Sequence, residues 1–147
     1  MENTNVFEEA KGLIKSEKAS CVVIKSDEIV AVLDGRGVSP LLSLYNAEFD
    51  KLKGAFVVDR IIGKAAAMIL VLGGVIKAYG EIMSVPAYNY LSKNCVEVSY
   101  GTCIDAISAR DGKGICPIEK SVLDVEEPRE GLTKIVETIK SFSKQAE

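Results

Sequence analysis

Asp59-Arg60-Ile61-Ile62-Gly63-Lys64-Ala65-Ala66-Ala67-Met68-Ile69-Leu70-Val71-Leu72-Gly73-Gly74 is the stretch on which the reading of this chain turns. Its apolar residues lie almost all round a helical wheel, so it predicts a helix buried on most sides. Asp59 is placed to cap that helix, Arg60 through Leu72 carry it, and Gly73-Gly74 stop it. Lys64 is the only charge between Arg60 and Lys77. A charge on a helix with so little exposed face must reach a partner or a cleft. Gly63 follows Asp59 by one turn on the same face and leaves space there for a ligand.

Upstream, Val6, Phe7, Ala10, Leu13 and Ile14 form one stripe at helical spacing. Ser20 to Lys25 and Ile29 to Leu33 are short β-branched runs separated by Ser26-Asp27-Glu28, which predicts an antiparallel hairpin. Asp34-Gly35-Arg36-Gly37 reads as a loop. Ser39-Pro40 then starts a helix, with Ser39 as N-cap and Pro40 at the first helical position.

Downstream, Val75 to Met83 predicts a strand, Pro86 opens a helix, and Val96 to Tyr100 predicts another strand. Thr102 to Arg110 fits helix or strand, with helix preferred and Gly112 as its stop. Cys116-Pro117-Ile118-Glu119 begins a short turn or helix with Glu119 as capping acid. A last helix starts near Pro128, carrying Leu132, Ile135, Val136, Ile139 and Phe142 on one side. The predicted order is α-β-β-α-α-β-α-β-α-α. It implies a three-layer α/β/α domain spanning residues 1–147, with a mixed sheet and helices on both faces.

Composition narrows the function. The chain has 147 residues, 48% of them hydrophobic, with a formal net charge of −3. It has no basic run and no Trp, which argues against nucleic acid as a partner. Ala65 to Ile76 is glycine-interrupted and too short to cross a bilayer. The start, Met1-Glu2-Asn3-Thr4, is polar, and the four cysteines form no C-x-x-C pair. Both features suit a cytoplasmic protein with reduced thiols. Histidine is absent, which removes Ser-His-Asp and Cys-His catalysis and every His-ligated metal.

The element order resembles the cytidine-deaminase-like fold. Zinc deaminases carry H-x-E or C-x-E at one helix start and P-C-x-x-C at another. The matching positions here are Asp59-Arg60-Ile61 and Pro86-Ala87-Tyr88-Asn89-Tyr90, so the proline is kept while Ala87 and Tyr90 replace both cysteines. Val98-Ser99-Tyr100-Gly101 also resembles the deaminase strand after that second helix. The chain further resembles an uncharacterised prokaryotic family of deaminase-fold proteins without the zinc site. The resemblance rests on Gly37-Val38-Ser39-Pro40-Leu41-Leu42, on Asp59 through Ala67, on Leu72-Gly73-Gly74-Val75 and on Cys116-Pro117-Ile118-Glu119. It implies a fold, no metal and no cofactor, and it implies no reaction.

Two functional readings follow. In the first, a metal-independent enzyme acts on a small polar or nucleotide-like metabolite. Cys103, at the first position of a helix capped by Thr102, is the nucleophile. Asp59 is the acid/base or orienting group, and Lys64 or Arg110 stabilises negative charge. In the second, a non-catalytic module binds or senses a small ligand in the deaminase pocket. Arg36, Gly37 and Ser39 could hold an anion beside a helix N-terminus, and Arg110 and Glu119 could clamp the ligand. Cys21 and Cys95 read as buried small hydrophobes. The pocket is expected where the helices starting at Asp59 and Pro86 meet the strand ends. The partner is a small molecule in both readings, and both are compatible with a homo-oligomer.

Overall fold

In the computed structural model, residues 4–109 and 111–146 are described. The elements are α1 (Thr4–Lys15), β1 (Cys21–Lys25), β2 (Glu28–Leu33), α2 (Ser39–Ala47), a 3-10 turn (Phe49–Lys51), β3 (Phe56–Ile62), α3 (Lys64–Gly73), β4 (Lys77–Ser84), α4 (Val85–Lys93), β5 (Glu97–Ile104), α5 (Pro117–Val122) and α6 (Pro128–Ala146). The strands form one five-stranded sheet in the order β2-β1-β3-β4-β5. The hairpin β1–β2 and the pair β1–β3 are antiparallel, while β3–β4 and β4–β5 are parallel. Parallel neighbours need crossovers, and α3 and α4 supply them.

Each face of the sheet has its own core. Ala10 and Ile14 of α1 pack on Val22, Ile24, Val58 and Tyr79. Phe7 meets Phe56 and Tyr79 there, with ring centroids 5.3 and 5.2 Å apart. On the other face, α3 buries Ala65 through Leu70 against Val23, Val57, Ile62, Ala78 and Met83. Strand alternation sends Val57 and Val58 to opposite cores. On its outer side α3 is covered by α5 and α6, so a helix apolar all round is buried all round.

The sheet holds one strand more than the sequence reading allowed. Phe56–Ile62 is the central strand β3, so Asp59 lies inside a strand and caps nothing. Gly63 is the N-cap of α3, in extended backbone, and Gly74 closes the helix at φ 79°. The strand was obscured because its β-branched run passes into the helix through a single glycine, leaving no turn signal between them. Of the helix expected over 102–110, none forms over the described residues 102–109. β5 continues to Ile104, and a bridge between Ser108 and Ile115 folds back the glycine-rich stretch. At α2, Val38 occupies the N-cap without a side-chain bond, and Ser39 and Pro40 are already helical.

The parallel ladder pairs Asp59 with Gly80 and Gly80 with Tyr100, then resumes at Ile61, Ile82 and Thr102. Gly101 sits in the gap, where a Cβ would lie 2.8 Å from the Glu81 carbonyl oxygen. That oxygen is main chain in a paired strand and has little room to retreat. Gly101→Ala is therefore expected to destabilise the protein by about 1–3 kcal/mol. This reverses the gain that alanine ordinarily brings over glycine within a strand. A lowered denaturation midpoint in urea checks it, and an unchanged or raised midpoint contradicts the close approach.

Candidate functional site

The site begins with a problem at the start of α3. The first N–H groups of a helix have no intrahelical partners, and here they are buried. Glu119, the third residue of α5, supplies the acceptors. Its oxygens take the N–H of Lys64 at 2.6 Å and of Ala65 at 3.0 Å. The residue is 6% exposed. Burial raises its carboxyl pKa, and the Ala65 and Lys64 N–H groups and the Lys64 charge work against that rise. A Cβ on Gly63 would collide with this carboxylate, so the space left by Gly63 belongs to Glu119 and not to a ligand over Asp59. Glu119 thus caps α3 instead of its own helix, and, buried with both oxygens engaged and absent from the lining of the cleft described below, it does not act there as the ligand clamp that the sequence also suggested.

Lys64 is 4% exposed and runs beneath the linker joining α5 to α6. Its ammonium donates to the Leu123 carbonyl at 2.9 Å and to Glu126 Oε2 at 3.0 Å, and lies 5.7 Å from the centre of the Tyr90 ring. Lys93, at the end of α4, holds Glu126 Oε1 at 2.6 Å. The Tyr90 hydroxyl donates to the Glu126 carbonyl at 2.8 Å. Burial, reinforced by the charges of Glu126 and Glu127, pushes the Tyr90 phenol up to about 12. Glu126 itself is 57% exposed at its side chain. The hydrogen bond from Lys93 and then that from Lys64 lower its carboxyl pKa.

These groups enclose a cleft of about 360 Å³, with Lys64, Tyr90, Lys93 and Glu126 on its polar side and Val85, Pro86 and Asn89 along the start of α4. Ser84 fixes that start by accepting the Ala87 N–H at 3.2 Å. The cleft runs along α4 from Val85 to Lys93 and faces Lys64 at the start of α3 and Glu126 of the α5–α6 linker. It takes in the starts of α3 and α4, but no strand residue lines it and Asp59, the helix start that the sequence suggested, is not part of it.

A zinc ion does not fit these residues. The helix starts present Gly63, Lys64 and Ala65 on one side and Pro86, Ala87 and Tyr90 on the other. Zinc needs converging thiolate, imidazole or carboxylate donors, whereas Lys64 brings a cation and the Glu119 oxygens are engaged by backbone N–H groups. Among the described residues, no three His, Cys, Asp or Glu side chains gather at one point.

Residues 9–139 match the family described as TM1506, Domain of unknown function (DUF1893). The chain belongs to this family. The crystal structure of the DUF1893 family protein TM1506 from Thermotoga maritima is similar at a TM-score of 0.81 and 27% identity, over 90% of this chain and 89% of that one. RibD from Acinetobacter baumannii is similar at a TM-score of 0.52 and 17% identity, over 69% of this chain and 36% of that one. A diaminohydroxyphosphoribosylaminopyrimidine deaminase/5-amino-6-(5-phosphoribosylamino)uracil reductase from Thermotoga maritima gives 0.48 at 14% identity, over 82% of this chain and 41% of that one. No curated protein matches the sequence. The DUF1893 chain thus has a deaminase-like α/β fold, and among its described residues no helix is long and apolar enough to cross a membrane.

The residues singled out from sequence fall in separate places. Asp59 lies opposite Cys21 in the β1–β3 ladder, with the Cys21 thiol against its carboxyl. Its Oδ1 accepts the Arg60 N–H at 2.8 Å, and burial lifts its pKa to about 7 against the pull of the Arg60 and Ile61 N–H groups. Cys103 pairs with Met83 on β5, exposed, without a helix dipole behind it. With β4 between them, Asp59 and Cys103 stand two strand spacings apart, roughly 10 Å across the sheet alone. Lys64 turns away into the cleft, so the proposed trio is not assembled. Arg36, Gly37 and Ser39 are exposed at the start of α2, and none lines the cleft. Arg110 lies outside the described residues. Cys95, expected to be buried, is exposed just past α4 at φ 64°. The sequence reading missed Glu126, Lys93 and Asn89. The acid pair Glu126-Glu127 before Pro128 was the available signal, and it reads equally well as complement to the α6 dipole.

Two predictions follow from this geometry. Glu119→Ala leaves two buried N–H groups unpaired and is expected to cost about 2–4 kcal/mol. Gly63→Ala, which evicts the same carboxylate, should cost a similar amount. The double variant should lose clearly less than the sum, since both remove one contact; additive losses in denaturant unfolding contradict the cap. Asp59 concerns pH. Its folded-state value near 7 lies above the ordinary 3.8, so folding takes up a proton between those limits. Stability then falls as pH rises through that window, by at most about 1.4 kcal/mol per unit. Asp59→Asn should flatten this dependence, growing relatively more stable than the parent from pH 4 towards 7. Parallel melting curves across that range refute the assignment.

Proposed function

We propose that this protein is a non-catalytic small-ligand-binding or regulatory module that retains the pocket of the deaminase fold without zinc. One observation carries the reading. The helix start that would face a metal is closed by Glu119 from within the chain, while the adjoining cleft remains open and is lined by a buried lysine, an aromatic ring and an amide. Such a cleft offers the usual ingredients of a small-molecule site, apolar walls with a few convergent polar groups. Four free thiols, two of them exposed, support placing the protein in the reducing cytoplasm.

The enzymatic reading keeps one supporting observation. Asp59, at about 7, lies near the best range for proton transfer at neutral pH. Cys103 and Asp59 would need to act on separate parts of a substrate or after a rearrangement.

Thermal-shift screening against small polar metabolites tests the proposal. Binding should raise the melting temperature with ligand concentration. Val85→Trp, at a half-exposed position on the cleft wall, should abolish that gain while leaving the unliganded melt unchanged. Stabilisation that survives Val85→Trp places the ligand elsewhere and overturns the reading. Turnover of a bound compound, lost in Cys103→Ser and Asp59→Asn with binding spared, replaces it with the enzyme.

A further inference from the structure

The polar side of the cleft contains an ion cluster with an unusual division of exposure. The Lys64 ammonium is buried, with side-chain exposure of 5%, whereas the carboxylate that neutralises it belongs to a side chain 57% exposed. That carboxylate is bidentate across two lysines, one oxygen 3.0 Å from Lys64 Nζ and the other 2.6 Å from Lys93 Nζ. Glu126 sits in the linker after α5 and before α6, so its side chain is not fixed by a helix. Its main chain is fixed independently, because Tyr90 holds the Glu126 carbonyl and Lys64 holds that of Leu123. The side chain can therefore swing into water without the linker moving. A buried ammonium left without an anion is costly, so that swing is favourable only when another anion enters.

We propose that the cleft takes a phosphate monoester, whose phosphate replaces the Glu126 carboxylate between Lys64 and Lys93. This deepens the small-ligand reading above and rests on it. A phosphate near neutral pH carries close to two charges, one for each of the two ammonium groups that the Glu126 carboxylate bridges. The spacing is already that of an oxyanion, since Glu126 bridges both lysines through separate oxygens. Val85, Pro86 and Tyr90 offer the apolar surface for the rest of the molecule, and Asn89 offers donors and an acceptor. Glu126 then acts as an internal competitor that keeps Lys64 neutralised while the site is empty.

Isothermal titration with inorganic phosphate, at fixed ionic strength in chloride, tests this with Glu126→Gln and Lys93→Gln. Both changes fall on exposed side chains, and their melting curves check folding. Removing the competitor should tighten phosphate binding by about tenfold, and removing Lys93 should weaken it by a similar factor. Acetate should gain much less from Glu126→Gln. Equal phosphate affinity in Glu126→Gln and the parent overturns the inference, as does acetate binding as tightly as phosphate. If screening compounds bind and are blocked by Val85→Trp while Glu126→Gln changes nothing, the phosphate inference fails and the small-ligand reading stands. If phosphate responds to these variants but no compound is blocked by Val85→Trp, the ion pair binds anions and the cleft reading fails.

Discussion

A helix that begins inside a protein has N–H groups that water does not reach, and α3 begins inside this one. Lys64 and Ala65 turn their N–H groups to Glu119, a residue that belongs to α5 and is itself 6% exposed. Much else is arranged around that contact. Gly63 has no side chain because the carboxylate fills the space, and α5 lies across the helix start because its glutamate is held there. The α5–α6 linker follows over Lys64 and brings Glu126 to the cleft. Carboxylate and helix also match electrically, since the positive end of the α3 dipole meets a negative group.

The contacts at this helix start also join segments that lie far apart in the chain. A structural or catalytic metal ties together segments that the chain does not otherwise connect. Here a buried carboxylate and a buried ammonium perform the joining. Glu119 links α5 to α3, and Lys64 links α3 to the residues after α5. The cost of burying both charges is offset by bonds to backbone groups as well as to each other's surroundings, the condition under which buried charges are tolerated.

Much of the fold was legible because it is written in short-range signals. The hairpin, the glycines that end α3, Pro86 near the start of α4 and the stripe of α6 each depend on neighbours within a turn or a strand. The central strand was not legible, because Phe56 to Ile62 runs into α3 with only Gly63 between them and both segments are apolar. Nor was the end of β5, where Thr102 and Cys103 suit a strand as well as a helix start. At the site, Lys64 declared itself as an isolated charge in a buried helix. Its partners did not, since Leu123 and Glu126 lie 59 and 62 residues along the chain. Glu119 has the look of a capping acid in the sequence, but no local pattern says that it caps α3 and not its own helix, or that this contact leaves it no ligand to clamp.

That distance in sequence also orders events in time. Glu119 leaves the ribosome 55 residues after Lys64, a delay of roughly 3–10 s at ordinary elongation rates. Until then the sheet strands that flank α3 are already made, yet the helix between them has an open end. The nascent chain therefore cannot settle its middle before its final third arrives. A truncated product lacking α5 and α6 would expose the outer side of the most apolar helix in the protein, the kind of surface that chaperones hold and proteases clear.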